Sequence, residues 1–337
     1  MSNYYLLMKG DFAYNKSYSN GFPLGTVKRL DKYDQGALSS LYIVFRPKKV
    51  NTDFLSIYYD TNKWHREVMK LSAEGARNHG LLNIPVNSFF EKNIIIPIHE
   101  KEQLEIAKFL KRLEKIIALH QRKINILEAL KKAYLNRIFP IISENIPRIR
   151  FNGINEEWER YKLGDLGSVA MNRRIFKDET SSNGEIPFYK IGTFGKKANA
   201  FITREKFEEY KHKYPYPQVG DTLISASGSI GRTVVYKGEE AYYQDSNIVW
   251  LKHDGNIDNT FLNQFYNIIK WNGVEGTTIK RLYNKNILNT EITLPSLIEQ
   301  KEIGRFLNIL DSITEFHQSK LNALKKLKKV YLNKMFI

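Results

Sequence analysis

Hydrophobic positions recur with a helical period over two long stretches of this chain. From Glu102 to Phe139 it reads EQLEIAKFLKRLEKIIALHQRKINILEALKKAYLNRIF, and from Glu299 to Phe336 EQKEIGRFLNILDSITEFHQSKLNALKKLKKVYLNKMF. In the first, Ile106, Leu110, Leu113, Ile117, His120, Ile124, Leu127, Lys131, Tyr134 and Ile138 follow alternating steps of four and three. In the second, the same steps pick out Ile303, Leu307, Leu310, Thr314, His317, Leu321, Leu324, Lys328, Tyr331 and Met335. That spacing is the seam of a coiled coil. Neither stretch contains proline, so each predicts a helix about 55 Å long at about 1.5 Å per residue.

The two stretches align without a gap, 197 residues apart. Glu102-Gln103 matches Glu299-Gln300, His120-Gln121 matches His317-Gln318, and Tyr134-Leu135-Asn136 matches Tyr331-Leu332-Asn333. Matched helices far apart in sequence are best explained by pairing with each other. Leu113, Ile117, His120, Ile124, Leu127 and Tyr134 are then expected to face Leu310, His317, Leu321, Leu324 and Tyr331. Leu130 and Leu327 can cover the seam where Lys131 and Lys328 interrupt it. His120 and His317 read as structural, since a polar group in a seam can fix register.

The repeat extends upstream of each helix. An apolar, strand-like run ends in proline before both, NIIIP at Pro97 and EITLP at Pro295. Gly10-Asp11-Phe12-Ala13-Tyr14 matches Gly220-Asp221-Thr222-Leu223-Ile224, Tyr42 to Phe45 matches Ile248 to Leu251, and Glu74-Gly75 matches Glu275-Gly276. Arg148 to Val219 precede Gly220, but only Met1 to Lys9 precede Gly10. The first domain is therefore expected to lack its opening part, through truncation or because another chain supplies it. The predicted organisation is a partial domain over 1–97, a helix over 98–140, a linker over 141–147, a second domain over 148–295 and a second helix over 296–337. Short helices are expected over Asp258–Ile269, capped by Asp258 or Asn259, and over Thr203–Lys211. The fold class is α+β: globular α/β domains separated by long helices that pair.

Composition narrows the partner. Lys and Arg number 52 against 36 Asp and Glu, a formal net charge of +16, which favours a polyanion, nucleic acid ahead of membrane. There is no cysteine, which removes disulfides, thiolate metal sites and thiol nucleophiles and fits a reducing cytoplasm. No apolar run reaches the ~18 residues of a transmembrane helix, and no signal-peptide pattern is expected at the N-terminus.

The run of apolar strand, proline, Glu-Gln and a long basic helix ending Tyr-Leu-Asn-Lys/Arg-Ile/Met-Phe resembles the specificity subunits of Type I restriction-modification systems. So do Gly220 to Gly231 (GDTLISASGSIG) and the opening Trp158 to Asp165 (WERYKLGD). The resemblance covers essentially the whole chain; the short first domain departs from it. It implies a pseudo-two-fold molecule with an antiparallel coiled coil and two target recognition domains, each reading half of a bipartite double-stranded DNA site. It further implies that the helices act as a ruler and dock methyltransferase subunits, expected to be two, with restriction/translocase subunits added. S-adenosylmethionine, ATP and Mg2+ would be bound by those partners, with no cofactor and no metal in this chain.

The sequence argues against chemistry in cis. It has no Asn/Asp-Pro-Pro-aromatic motif to grip a flipped adenine, no G-x-G-x-x-G and no G-K-[ST]. Gly228-Ser229-Ile230-Gly231 reads as a turn, and His99-Glu100 lacks the second histidine of a zinc-protease motif because Gln103 stands there. Candidate DNA contacts in the second domain are Arg173, Arg174, Lys190, Lys196, Lys197, Arg232, Lys280 and Arg281 for phosphate or guanine. Gln244 and Asn247 are candidates for adenine, and Ser227 and Ser229 for phosphate. Lys16, Asn20, Lys28, Arg29 and Arg77 are the picks in the first domain. A solvated surface charge is the competing reading for each. Two other functions stay open: a stand-alone DNA-binding regulator or anti-restriction decoy, and the specificity part of a split restriction-methylation enzyme.

Overall fold

The computed structural model describes residues 4–17, 20–73, 82, 84–140, 146–151, 156–273 and 280–336. Contacts divide the chain into two compact units, Met1–Ile124 with Phe316–Ile337, and Asn125–Glu315. Arg77, Glu74-Gly75, Glu275-Gly276 and most of the 141–147 linker lie outside the described residues.

Unit 1 opens with β1 (Tyr4–Met8), β2 (Phe12–Asn15), β3 (Thr26–Arg29), β4 (Gln35–Ser39) and β5 (Ile43–Phe45). β1 pairs with β4, and β2 sits between β3 and β5, all antiparallel. The alternation of strands turns the apolar side chains of Phe12 and Tyr14 inward. Helices α1 (Thr52–Tyr59), α2 (His65–Ala73) and α3 (Val86–Phe90) follow, then the long α4 (Glu100–Ile138). Asn51 caps α1, its Oδ1 accepting from the amides of Asp53 and Phe54 at 3.0 and 3.1 Å. The core is aromatic. Tyr14 stacks on Phe89 at 5.0 Å and meets the edge of Trp64 at 5.8 Å, and its hydroxyl donates to the carbonyl of Leu24. Each such ring contributes about 1.5–3 kcal/mol by leaving water.

Unit 2 contains β6 (Glu159–Lys162), α5 (Leu163–Leu166), β7 (Gly167–Ala170), β8 (Ile186–Tyr189), β9 (Phe201–Ile202) and α6 (Arg204–Lys213). There follow β10 (Thr222–Ser225), β11 (Thr233–Val235), β12 (Tyr242–Tyr243), β13 (Ile248–His253), α7 (Asn259–Tyr266), α8 (Asn284–Leu288), β14 (Glu291–Leu294) and the long α9 (Leu297–Met335). One sheet runs β11-β10-β13-β7, a second β12-β8-β9, and β14 pairs with β6. β10 is central and buried along its whole length. The two expected short helices are present, capped by Thr203 and Asp258, and α7 ends earlier than expected, at Tyr266. The main core gathers Phe139, Trp158, Phe261, Leu294, Ile303 and Leu307.

The repeat read from sequence recurs as hydrogen bonds. Gly10 (φ 93°) and Gly220 (φ 99°) occupy the left-handed region that glycine tolerates. Asp11 Oδ2 accepts from the Met8 amide at 2.8 Å, as Asp221 Oδ2 does from Gln218. Gln103, fully buried, accepts at Oε1 from the Asn51 amide and donates at Nε2 to the carbonyl of Pro97. Gln300 does the same with Asp258 and Pro295. These paired glutamines tie each long helix to the cap of the helix it packs against.

One strand expectation needs correcting. The run Asn93–Pro97 forms no assigned strand, whereas its counterpart Glu291–Leu294 is β14. The physical reason is a partner. β14 is held by β6, and nothing in unit 1 takes the place of β6 among the described residues.

α4 and α9 pack antiparallel. In unit 1, Phe109 meets Tyr331 at 4.8 Å, Glu114 receives Lys328 at 2.6 Å, and the rings of His120 and His317 meet with Nδ1 atoms 3.0 Å apart. In unit 2, Phe306 meets Tyr134 at 4.9 Å and Asp311 receives Lys131 at 2.6 Å. The ring contact and the ion pair of one unit each have a repeat mate in the other, and the histidine pair is its own mate. The seam lysines therefore carry carboxylate partners, which lowers the cost of desolvating them. Leu113, Ile124, Leu127, Leu310 and Leu321 are buried, and Ile117, Tyr134, Leu324 and Tyr331 half-buried.

Candidate nucleic-acid interface

In unit 2 five loop segments converge, and most of the candidate residues lie on them. The turn after β10 passes through Gly228 (φ 65°) and Gly231 (φ 80°), where a Cβ at Gly231 would lie 2.7 Å from the Trp271 indole nitrogen. Ser227, buried, donates to Asn247 Oδ1 at 2.6 Å and bridges the backbone of Arg281. Gln244 Oε1 accepts from the Ile191 amide at 2.9 Å, and Arg232 Nη1 donates to the Phe194 carbonyl at 2.8 Å. Those two bonds pin the 190–197 loop to the sheet. Arg174 Nε donates to Asp245 at 2.8 Å, and Arg173 lies over the Tyr214 ring at 5.3 Å.

Two kinds of group emerge. Gln244, Asn247, Ser227 and Arg232 spend polar atoms on holding loops together. Arg173, Arg174, Lys196, Lys197, Ser229, Lys280 and Arg281 are exposed at the loop tips. Lys190 is half-buried, its amide donating to Thr193. The Arg174 side chain is exposed while Asp245 is largely buried, so the guanidinium keeps open N–H groups that a phosphate or a base edge can engage. Behind the loops, burial holds the phenols of Tyr216, Tyr242 and Tyr243 above the usual tyrosine range, so they remain protonated donors. Among the described residues, no cluster of histidine and carboxylate side chains could hold a metal.

The unit 1 candidates are not brought together in this way. Arg29 is largely buried between Asp31 at 2.6 Å and Asp53 at 2.7 Å, and Asp53 also receives Lys111. Lys28 pairs with Asp60 at 2.5 Å. Lys16 is half-buried and its carbonyl accepts from Leu82, while Asn20 is exposed.

The sequence profile described as "Type I restriction modification DNA specificity domain" matches residues 3–129 and 155–326. The chain belongs to this family. A putative type I restriction enzyme specificity subunit of Haemophilus influenzae is 51% identical over 173 residues, 50% of this chain and 45% of that protein. The type I restriction enzyme MjaVIII specificity subunit of Methanocaldococcus jannaschii is 25% identical over 321 residues, 89% of this chain and 73% of that protein. The chain thus spans less than half of the first relative and about three quarters of the second. Among solved structures, the type I restriction-modification S subunit from M. genitalium shares the fold with TM-score 0.65 and 15% identity, covering 98% of this chain and 83% of that one. A chain solved for complex assembly and conformational transition of the type I R-M system gives TM-score 0.55 and 18% identity, covering 98% and 82%.

In this specificity-domain chain, sequence reasoning missed several residues that set the loop geometry. Asp245 restrains Arg174, Tyr214 carries Arg173, and Trp271 backs the Gly231 turn. It also missed Gln264, buried at the seam, which donates to Asn308 and Asp311 at 3.0 Å each. The available signal for that site was a polar residue at an inward helical position of α7. The specificity-domain helices also carry a second apolar stripe that is exposed: Ile116, Leu119, Ile126 and Leu130 on α4, and Ile309, Ile313, Phe316, Leu327 and Val330 on α9. No helix among the described residues is long and apolar enough to cross a membrane.

Proposed function

We propose that this chain is the sequence-reading subunit of a Type I restriction-modification complex and performs no chemistry itself. The observation that carries the reading is the convergence of exposed Arg173, Arg174, Lys196, Lys197, Lys280 and Arg281 on loops braced from behind. That arrangement suits a duplex: exposed cations for phosphates, on loops held at fixed spacing by the sheet. The first domain, 1–97, and the second, 148–295, each read one half of a bipartite site. The helices space them.

The exposed apolar stripes on α4 and α9 support docking of two methyltransferase subunits, which would bring S-adenosylmethionine. Restriction/translocase subunits would bring ATP and Mg2+. The setting would be the cytoplasm.

The test is co-purification with a methyltransferase subunit followed by methylation-site sequencing. Changing Arg174 or Arg281 to Ala should relax or move one half-site while the other stays fixed. Tight DNA binding by the chain alone, with no methyltransferase association, would replace this reading with that of a stand-alone DNA-binding protein.

A further inference from the structure

Unit 2 carries elements with no counterpart in unit 1, the β12-β8-β9 sheet and α6 among them, and one of them packs directly on the repeated strands. In unit 2 the stretch Trp158–Ala170 supplies β6, α5 and β7. β7 pairs along β13, from Trp250 opposite Ala170 to His253 opposite Gly167. β6 pairs along β14, and the Leu163 amide donates to the Thr290 carbonyl at 2.9 Å. Between the strands, Gly164 lies against Leu288 so closely that a Cβ would sit 3.1 Å from its carbonyl oxygen. Trp158 fills the core beside Phe139 and Phe261.

Unit 1 keeps two of the surfaces that receive this piece in unit 2, and among its described residues no strand stands in the place of β6 or β7. Its sheet is β3-β2-β5, matching β11-β10-β13 strand for strand and stopping where β7 would add. Asn93–Pro97, the counterpart of β14, has no paired strand among the described residues. Phe90 stands where Leu288 receives Gly164, and it is 51% exposed; Ile95 is 64% exposed. Between the two open edges lies a cavity of about 300 Å³ lined by Phe45, Phe89, Phe90, Lys92, Ile94 and Ile96. Lys92 Nζ is buried there without a hydrogen-bond partner among the described residues.

We infer that this groove is a docking site for a polypeptide segment of the Trp158–Ala170 type, supplied from outside the stretch Tyr4–Ile124. The occupant is defined by its pattern: an aromatic, a four-residue strand, Leu-Gly-Asp-Leu, then a strand that opens with glycine. One strand adds to Asn93–Pro97 and the other to the free side of β5, with the glycine against Phe90. Backbone pairing supplies affinity, and the alternating side chains with the glycine supply selectivity. The inference stands on the repeat and does not depend on the proposed DNA-reading role.

The experiment joins a second copy of the sequence Glu156–Met171 to the N-terminus of the full chain through a flexible Gly/Ser linker. Tethering keeps the local concentration near millimolar, so weak docking is still read. Hydrogen exchange at Val44, Arg46, Ile94 and Ile96 should slow about tenfold or more, since these amides would change from open edges to paired strands. The same fusion with its copy of Gly164 changed to Ile, or with Phe90→Glu in the receiving groove, should lose that protection. Thermal melting and circular dichroism of the two control variants verify that they fold. No slowing in the tethered chain overturns the inference. Equal slowing with the Gly164→Ile copy also overturns it, because protection would then come from nonspecific coverage.

Discussion

Gly304 sits where α9 crosses the start of α7, and a methyl group there should destabilise the protein even though it improves the helix. An alanine Cβ would fall 2.0 Å from Thr260 Oγ1 and 2.9 Å from both the Phe261 amide nitrogen and Thr260 Cβ. Gly to Ala in a free helix gains about 1 kcal/mol. Here that gain meets a backbone that cannot retreat. Gln300 holds the Asp258 amide, the Thr260 hydroxyl donates to the Asp258 carboxylate, and the Phe261 ring is fully buried. Overpacking typically costs about 1–3 kcal/mol, and a clash this deep belongs at the upper end, so Gly304→Ala should lose about 1–2 kcal/mol net. At about 2–4 °C per kcal/mol for a unit of this size, the melting temperature of unit 2 falls by roughly 2–8 °C. The matching position in α4 is Ala107, fully buried in unit 1. Ala107→Gly should cost about 2 kcal/mol, from about 1 in helix propensity and about 0.8 for the buried methyl. Urea denaturation of both variants measures the pair. A Gly304→Ala protein as stable as the parent, or more stable, would refute the close-approach argument.

Replacing Arg150 by Met should cost about 3–5 kcal/mol, because it strands Glu299, which is fully buried and held by Arg150 Nε and Nη2 at 3.0 and 2.6 Å; chemical denaturation reads the loss. The double variant Leu113→Asp with Leu310→Asp puts a charge on each half of the seam at several kcal/mol apiece; retained thermal stability and methyltransferase assembly would mean that the helices need no seam. Burial lowers the Lys92 ammonium to about 8, so the unfolded chain binds more protons between about pH 8 and 10.5 and stability should rise with pH across that window. Lys92→Met should flatten that slope and stabilise the protein at pH 7, as differential scanning calorimetry against pH would show. Inserting one heptad after Arg122 and another after Ser319 keeps the seam in phase and adds about 10 Å; at about 3.4 Å per base pair the preferred spacer should grow by about three base pairs in methylation-site sequencing. A folded, active variant with an unchanged spacer would show that the helices join the domains without measuring DNA.

The long helices were legible because their information is local and repeated. The 4-3 pattern marked the seam, and residues matched in sequence turned out to make matched contacts, as with Glu114–Lys328 and Asp311–Lys131. The register of Gly10 with Gly220 was equally plain, since a left-handed glycine followed by aspartate fixes a turn. The 93–97 run misled because strand propensity says nothing of whether a partner exists. Loop chemistry was hardest to see. Gln244 and Arg232 look like ligand-binding residues in sequence, yet their side chains hold backbone atoms of the 190–197 loop. Arg29 looks like a surface cation and is locked between carboxylates contributed by Asp31 and, from another element, Asp53. Such partners are set by tertiary proximity, which neither charge nor periodicity encodes.

Phe336 packs on Phe54 at 4.9 Å and Tyr58 at 6.0 Å, inside the core of the unit whose strands are made first. Unit 2, by contrast, is one uninterrupted run from Asn125 to Glu315. On the ribosome the order of synthesis and the order of completion are therefore reversed. The later-made unit can close as soon as its own residues emerge, while the earlier one must wait, with a strip of its core uncovered, until Phe316–Phe336 has been translated and returned. The first unit is the one exposed to proteases and chaperones during that interval. A chain released just after Glu315 would carry a second unit with all its residues attached to an unfinished first.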